Sequence, residues 1–488
     1  MLANFHQTCE ELLVRVTIIT LIMFLVERRL MPQQTKQPAH HTRDVIITIK
    51  RLGINGEGIG YYKKKIIFIP KALPEEVVVA KITAEYPRYL EGELVRIKEK
   101  SPQRVPFPKN VNPAVGGLEL AHLSYPAQLA YKKDNLVEAL NRYRPRGYQK
   151  YKIKATIAAP AEWGYRNKAS YQLEQDHKQI KLGLYAPNSH DLLDLPVMPT
   201  QSDATQTVER SAKALIERLQ VPIANKWHRR DGVKTVVVRE AISSGEIQVT
   251  LITIGHKIAN LAELATELLK LKGVVSVYQN ENDWQNPQLW GNKTEKLAGQ
   301  NQIIETMLDK KFALSPRAFF QLNPAQTVNL YQVALKYLDL QPDMTLIDAY
   351  AGVGTLGILA SDRVKQVVGI ESIPEAVADA QHNVALNHIK NADYVQGNVD
   401  RVLPELQAEG LPIDALIVDP PRTGLAKSLI KTLLRVKPKT FVYISCNPST
   451  LAQDLILLTQ AYDVRVIQNV DMLPQTPRCE CVVKLIRR

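Results

Sequence analysis

The chain has 488 residues, too many for one compact core, and this length predicts two to four domains. Its 62 Lys and Arg against 49 Asp and Glu leave a formal net charge of +13, which favours a polyanionic partner such as nucleic acid. Four cysteines in a chain of this length argue against a disulfide scaffold and predict a reducing compartment, the cytoplasm.

Residues 1–44 are interpreted as an N-terminal extension whose translation is doubtful, followed by a flexible leader. The apolar stretch 12–26 is short for a membrane span and is interrupted by Arg15, and it has neither the basic start nor the cleavage site of a signal peptide. A further hypothesis is that translation begins at Met31. The polar residues 32–44 show no periodicity, as in a leader. We therefore predict no membrane association.

Residues 45–104 are predicted to form a small OB-like β-barrel, because short β-prone runs alternate with glycine turns. Basic and aromatic side chains are interleaved between Tyr61 and Phe68, a mixture that can clamp phosphates and stack bases. An equally good interpretation is a lysine-edged strand protected from aggregation.

Residues 105–310 are predicted to form a central α+β domain that binds RNA. It begins in a proline-rich linker, and a helix near 126–143 could pack on the domain that follows. The stretch 142–154 contains six basic residues, three tyrosines and no acid, so it is the best local candidate for a nucleic-acid surface.

From residue 311 to 488, strand-like and helical segments alternate, which predicts a doubly wound α/β sheet that binds ligands at the carboxyl ends of its strands. Gly352 opens a G-x-G-x-x-G turn, which suits a nicotinamide, a flavin or S-adenosylmethionine. Glu371 follows at the end of the next strand, where a carboxylate can accept both ribose hydroxyls. Asp419 ends a third strand and precedes two prolines that stiffen its loop.

Cys446 ends another strand of this sheet. A single strand-end cysteine is more often a core residue than a nucleophile, but this one shares its edge with Glu371 and Asp419. In an extended strand, Cys479 and Cys481 face away from Glu480, so a metal site there would lack further ligands and no metal is predicted.

These groups suit methylation of uracil at carbon 5. A thiolate that adds to carbon 6 makes carbon 5 nucleophilic, and a base must then remove the proton from carbon 5. Cys446 and Glu480 can supply these two roles, after the uracil has been flipped out of its stack.

At this point the sequence resembles the TRAM-domain RNA uracil-5-methyltransferases of bacteria over residues 45–488. The resemblance is carried by FFQLNPAQ (319–326), DAYAGVGTLG (348–357), DPPRTGL (419–425), SCNPSTLAQDL (445–455) and DMLPQTPRCE (471–480), with GYRNKASY (164–171) in the central domain. It implies an N-terminal TRAM barrel, a central α+β domain and a C-terminal Rossmann-like methyltransferase domain.

The resemblance also implies roles for individual residues. Cys446 would be the nucleophile and Glu480 the proton acceptor, and Asp419 would also orient the uracil. The residues implied to contact S-adenosylmethionine are Gln321, Tyr350, Thr355, Glu371, Asn398 and Asp419. Relatives that act on transfer RNA commonly lack the TRAM module, so its presence favours 23S ribosomal RNA as the partner. Nothing suggests more than a monomer.

Two features of the sequence depart from the family pattern. Val115 and Leu118 stand where many relatives have cysteines of an iron-sulfur cluster, so no cluster is predicted and apolar packing is expected in its place. Arg478 replaces a usual histidine beside the base, and we expect it to stabilise the Glu480 carboxylate and lower its basicity.

Other functions are also compatible with parts of the sequence. Transfer RNA is the nearest alternative substrate. A dehydrogenase would leave Cys446 and Asp419 unexplained, and cytosine-5 methylation usually requires a Pro-Cys motif that is absent here. A non-catalytic RNA-binding or ribosome-assembly protein is the alternative from a different functional class.

Overall fold

The structure of the chain is a computed structural model that describes residues 37–38, 44–176, 179–187 and 189–488. The predictions for the extension and leader lie outside these residues, apart from strand β1 (Gln37–Pro38) and Asp44, which already belongs to the next strand. The contacts divide the chain into two compact units: the first ends at Pro102, and the second consists of residues 54–56 and 103–488. No helix in the described part of the chain is both long and apolar enough to span a membrane.

The first unit is built from short strands. They are β2 (Asp44–Thr48), β3 (Arg51–Leu52), β4 (Gly58–Tyr62), β5 (Lys65–Ile69), β6 (Val77–Glu85) and β7 (Tyr89–Glu99). The first strands, β2 and β3, belong to the continuous segment 44–52. Strand β2 pairs with β6 and β3 pairs with β4, and the sheet continues from β6 through β7 and β5 to β4. The strands therefore close into a barrel. Val45 and Ile47 point into its core while Ile46 is exposed, as the period of two requires.

The second unit begins with a helix and a seven-stranded sheet. The helices are α1 (Tyr125–Tyr143), α2 (Asp203–Arg218) and α3 (Leu261–Leu268), and the strands are β8 (Lys168–Asp176), β9 (Gln179–Tyr185), β10 (Leu192–Asp194), β11 (Gly232–Ala241), β12 (Glu246–Ile254), β13 (Val274–Asn282) and β14 (Lys293–Gly299). The strand order is β10-β9-β8-β11-β12-β13-β14, and only the β12 and β13 pair is parallel. Apolar residues of α2 and α3 share one core cluster with this sheet.

A hairpin of β15 (Ile303–Met307) and β16 (Lys310–Leu314) follows. Ile303 and Phe312 belong to the same apolar cluster as the C-terminal sheet. The boundary expected between residues 310 and 311 therefore falls inside strand β16. Both strands of the hairpin carry apolar residues, but the sequence does not reveal which sheet covers them.

The C-terminal sheet has seven strands and helices on both faces. The strands are β17 (Thr345–Ala349), β18 (Gln366–Glu371), β19 (Ala392–Gln396), β20 (Ala415–Val418), β21 (Thr440–Ser445), β22 (Tyr462–Val470) and β23 (Glu480–Arg487). The helices are α4 (Pro324–Leu338), α5 (Thr355–Ala360), α6 (Pro374–Leu386), α7 (Val399–Ala408), α8 (Lys427–Val436) and α9 (Pro448–Leu458). The order is β19-β18-β17-β20-β21-β23-β22, with β23 antiparallel to both neighbours.

Helix α1 packs on this C-terminal sheet and fixes the loop that leads into β23. Lys132 of α1 and Asp471 of the loop form an ion pair in which neither side chain is exposed, and Lys132 Nζ also donates to the carbonyl of Leu473 at 3.1 Å. Gln128 Nε2 donates to Gln475 Oε1 at 2.8 Å. These contacts join residues that lie more than three hundred positions apart in the sequence.

Replacement of Lys132 should destabilise the protein strongly. Lys132→Met leaves the Asp471 carboxylate buried without its cation, which costs about 3–5 kcal/mol of unfolding free energy. Urea denaturation followed by circular dichroism measures the loss. In the double variant Lys132→Met/Asp471→Leu no charge stays buried, and most of the stability should return; a double variant as unstable as the single one would contradict the electrostatic cause.

Candidate functional site

Five predicted site residues lie along one edge of the C-terminal sheet. Tyr350, Asp419 and Cys446 directly follow β17, β20 and β21, Glu371 ends β18, and Glu480 begins the antiparallel β23. Ser445 and Cys481 are register partners, so continuing that register places Cys446 opposite Glu480. Since neighbouring strands are about 4.8 Å apart, Asp419, Cys446 and Glu480 form a compact group.

Two carboxyl groups and a thiol influence one another in this group. Burial, followed by the negative charges of Glu480 and Asp419, raises the pKa of Cys446 to about 11. Burial raises the pKa of Asp419 to about 7. Burial, with the charge of Asp419, also raises the pKa of Glu480 well above its usual value. The thiol is therefore protonated at neutral pH, and the carboxyl groups are stronger bases than in water.

Arg422 is the nearby cation of this group. Its charge opposes the larger effects of burial and lowers the pKa of both Cys446 and Glu480. Its carbonyl accepts hydrogen bonds from Asn447 Nδ2 at 3.2 Å and Thr450 Oγ1 at 3.3 Å, which tie its loop to the start of α9. In the sequence Arg422 is only one residue of the DPPRTGL motif, and no local pattern indicates this role. Arg478, in contrast, has an exposed side chain.

The glycine turn after β17 leaves room for a ligand. Tyr350, Gly352 and Gly354 all have positive φ values, of 63°, 56° and 82°. A Cβ added at Gly352 would meet no atom within 4 Å, so the backbone here faces open space. At Gly354 a Cβ would lie 2.8 Å from the Tyr394 ring, so this glycine is required by packing. Residue 352 thus offers the close backbone approach that an adenosyl group needs.

The Glu371 carboxylate is held at this turn by backbone amides. Its Oε2 accepts from the Gly352 amide at 3.0 Å, and its Oε1 accepts from the amides of Ser372 at 2.7 Å and Ile373 at 2.9 Å. Behind the turn, Asp348 Oδ2 accepts from the Gly357 amide at 2.8 Å, and burial raises the pKa of Asp348 to about 7. The turn is therefore fixed before any ligand arrives.

A cavity of about 580 Å³ opens beside Glu371. It is lined by Ser372, the segment 395–398 and residues of α7, so Asn398 stands at its rim. Thr355 is the first residue of α5 and is buried. The open turn and the fixed carboxylate fit an adenosyl ligand such as S-adenosylmethionine, and the cavity adjoins them through Ser372, the residue after Glu371.

Gln321 reaches the same region from another element. It precedes α4 and hydrogen-bonds the buried Tyr331, whose pKa is raised by burial and then by the charges of Asp419 and Asp348. The cap of α4, Asn323, donates through Nδ2 to the carbonyl of Met472 at 3.1 Å. The structure thus brings all the predicted site residues to one end of the sheet, while their roles stay predictions. Tyr331 is a buried neighbour of the site that the helical pattern of α4 did not distinguish.

The basic stretch 142–154 lies against the C-terminal domain. Tyr143, Tyr148 and Tyr151 pack against the apolar cluster of the C-terminal domain. Ile153 forms a bridge with Ile467 at the edge of β22. The basic side chains of Arg142, Arg144, Arg146, Lys150 and Lys152 are exposed, so they can meet phosphates, whereas the three tyrosines are partly buried.

The positions of the family cysteines are apolar. Val115 and Leu118 are buried in the cluster that contains Val111 and Met198. Within residues 44–176, 179–187 and 189–488, no three His, Cys, Asp or Glu side chains are grouped so that they could hold a metal ion.

Comparisons with known proteins show the family of the chain. The family model of tRNA (uracil-5-)-methyltransferases matches residues 124–488, and the TRAM domain model matches residues 41–95. A protein of Lactobacillus johnsonii described as an RNA methyltransferase is 68% identical over 446 residues, which are 91% of this chain and 97% of the relative. A similarly described protein of Lactiplantibacillus plantarum is 50% identical over 443 residues, 91% of this chain and 92% of the relative.

Among solved structures, the tRNA (uracil-54, C5)-methyltransferase of Pyrococcus abyssi in complex with S-adenosyl-L-homocysteine matches with a TM-score of 0.73. It is 26% identical, and the match covers 92% of this chain and 100% of that one. The match confirms the predicted fold class of barrel, central domain and Rossmann-like domain.

Proposed function

Because the chain belongs to the RNA uracil-5-methyltransferase family, and is therefore an S-adenosylmethionine-dependent RNA methyltransferase, we propose that it methylates carbon 5 of a uridine in 23S ribosomal RNA through Cys446. The observation that carries the proposal is the register of β21 and β23, which sets a thiol opposite a carboxyl group beside the glycine turn.

The first step is the addition of Cys446 Sγ to carbon 6 of the flipped uracil. The thiol proton passes to Asp419, whose pKa of about 7 leaves a large ionised fraction at neutral pH. A bond forms between sulfur and carbon 6, and the electron pair of the ring double bond moves towards carbon 5 and the oxygen on carbon 4. Arg422 favours the thiolate because its charge opposes those of the two carboxylates.

Carbon 5 then carries the nucleophilic electron pair. S-adenosylmethionine supplies an electrophilic methyl group when it is bound at the Gly352 turn. Gln321, Tyr350, Thr355, Glu371, Asn398 and Asp419 would hold it. Glu480 next takes the proton from carbon 5, the bond between sulfur and carbon 6 breaks, and Cys446 regains its proton from Asp419. The raised pKa of Glu480 makes its carboxylate a strong base for this step.

Arg422→Gln should slow the enzyme most at neutral and acidic pH. Without the cation, the pKa of Cys446 rises further, so less thiolate is available and kcat/KM at pH 7 should fall. The measurement is kcat/KM against pH, which should shift to higher pH. Arg435→Gln removes the same charge from the exposed end of α8 and should leave the profile unchanged. An unshifted Arg422→Gln profile would contradict this role.

The proposed reaction is tested by mapping 5-methyluridine in ribosomal and transfer RNA from a strain that lacks the gene. We expect 5-methyluridine to be absent from 23S ribosomal RNA of this strain and to return when the wild-type gene is restored. Loss from transfer RNA would support the second candidate substrate. That candidate is favoured by the Pyrococcus abyssi enzyme, which acts on uracil 54 of transfer RNA and matches 92% of this chain. Unchanged methylation of both RNAs would favour a non-catalytic assembly role.

We also propose that the enzyme works as a cytoplasmic monomer without an iron-sulfur cluster. The apolar packing of Val115 and Leu118 supports the absence of the cluster, because these side chains are no metal ligands. Protein purified anaerobically should contain less than stoichiometric iron and show no visible absorption band. Stoichiometric iron in an elemental assay would refute this.

A further inference from the structure

We propose that Trp227 is a stacking platform for an unpaired RNA base at a site remote from the methylated uridine. This inference rests on RNA being the substrate, as proposed above. The Trp227 side chain is 90% exposed, although a tryptophan normally buries most of its large apolar surface. It lies in the loop 225–230, which joins α2 to β11 and is here called the Trp loop.

The Trp loop is held in one shape by its own hydrogen bonds. The backbones of Asn225 and Arg230 exchange two hydrogen bonds, of 2.9 and 3.0 Å, and close the loop. Asn225 Oδ1 accepts from the amides of Trp227 and His228, both at 3.0 Å. Arg230 Nε donates to the carbonyl of Ile223 at 3.0 Å. A platform that is ordered in advance loses little entropy when a base stacks on it.

The surroundings of Trp227 favour a nucleic acid over a protein. Lys226, His228, Arg229 and Arg230 are all exposed beside it, and the only acid in the adjoining sequence is Asp231. In the described part of the chain, neither Lys226 nor Arg229 forms an ion pair, so both charges are available to phosphates. A tryptophan at the centre of a protein interface usually has apolar neighbours that exclude water, whereas exposed aromatic rings among basic residues are typical of single-strand binding.

The sheet sets the distance from the active site. Strand β11 begins at Gly232, just after the Trp loop, and ends at Ala241. Near its far end, Arg239 donates to the carbonyl of Ser315 at 3.1 Å, in the segment that leads to Gln321. Ten residues of antiparallel strand span about 30 Å, so the stacked base lies well away from the target uridine. The loop should therefore affect RNA affinity and leave the chemical step unchanged.

The test compares Trp227→Ala and Trp227→Phe with the wild type, using a transcript of 23S ribosomal RNA and a short single-stranded oligouridine as probes. Trp227→Ala should weaken binding of both probes about tenfold or more, the usual loss for one base stack, and should raise KM with kcat unchanged. Trp227→Phe keeps a stacking ring and should recover most of the affinity. Tyr185→Ala removes another exposed aromatic ring from the same sheet and should bind as the wild type does.

Two further measurements separate the possible outcomes. Oligouridine should quench the tryptophan fluorescence of the wild type, and Trp227→Phe should abolish this change. Lys226→Ala should reduce the slope of log affinity against log salt by about one, because one phosphate contact is lost. If Trp227→Ala binds RNA as tightly as the wild type does, the stacking proposal is wrong. The same holds if the variant loses only the binding of a protein partner. If the wild type produces no 5-methyluridine, the proposed function is wrong. The quenching by oligouridine does not depend on methylation, so it still tests whether Trp227 stacks on a base.

Discussion

Cys446→Ser should abolish methylation while RNA and S-adenosylmethionine still bind. The serine hydroxyl has nearly the same size but does not ionise near neutral pH, so it cannot add to carbon 6. We expect kcat to fall by at least about 10⁴-fold, as is usual when a covalent nucleophile is removed. Transfer of a radioactive methyl group to RNA measures the rate, and equilibrium binding of each ligand shows that the site is intact.

A matched thiol control is available on the neighbouring strand. Cys481 is fully buried and faces away from Glu480, so Cys481→Ala should lower the melting temperature but keep kcat within a few-fold of the wild type. A Cys446→Ser variant that methylates RNA at the wild-type rate would rule out covalent catalysis. A loss of RNA or cofactor binding in this variant would instead indicate a damaged site.

The sequence predicted those site residues that lie at the ends of strands. Glu371, Asp419 and Cys446 each end an apolar run that reads clearly as a buried strand, and parallel strands bring their carboxyl ends to one edge. Glu480 was predicted as the base from the chemistry that the reaction requires, and the resemblance implies the same role. The antiparallel β23 explains how the start of a strand reaches the same edge. Short-range patterns contained enough information for these positions.

Other features depend on tertiary contacts that a local pattern does not contain. The tyrosines of 142–154 look like stacking residues by composition, yet they cover the apolar edge of the C-terminal domain. The charge of Lys132 reads as solvated in an amphipathic helix, but its partner Asp471 follows more than three hundred residues later. Likewise, the sequence spacing around Arg422 and Trp227 does not mark either residue as functional. Only their surroundings in the fold distinguish them.

Glu480→Gln should trap the covalent intermediate on RNA. The amide cannot take the proton from carbon 5, so the methylated adduct between Cys446 and carbon 6 cannot break down. We expect turnover to fall about 10³-fold, within the range for loss of a catalytic base. A methylated RNA should also migrate with the protein on a denaturing gel. The adduct forms because the variant retains Cys446 and Asp419, the residues that act before proton removal.

Three further variants test whether the band of protein-bound RNA on the gel is the covalent adduct of Cys446. Cys446→Ser/Glu480→Gln should give no band, since no sulfur is present to form the bond. Glu480→Asp keeps a carboxylate at a greater distance from carbon 5 and should turn over faster than Glu480→Gln, with less adduct. Asp419 is the carboxyl group of raised pKa that lies beside Cys446 and Glu480, and burial is the cause of its shift. If Asp419→Asn accumulates the methylated adduct and Glu480→Gln does not, then Asp419 removes the proton from carbon 5 and Glu480 acts only through its charge.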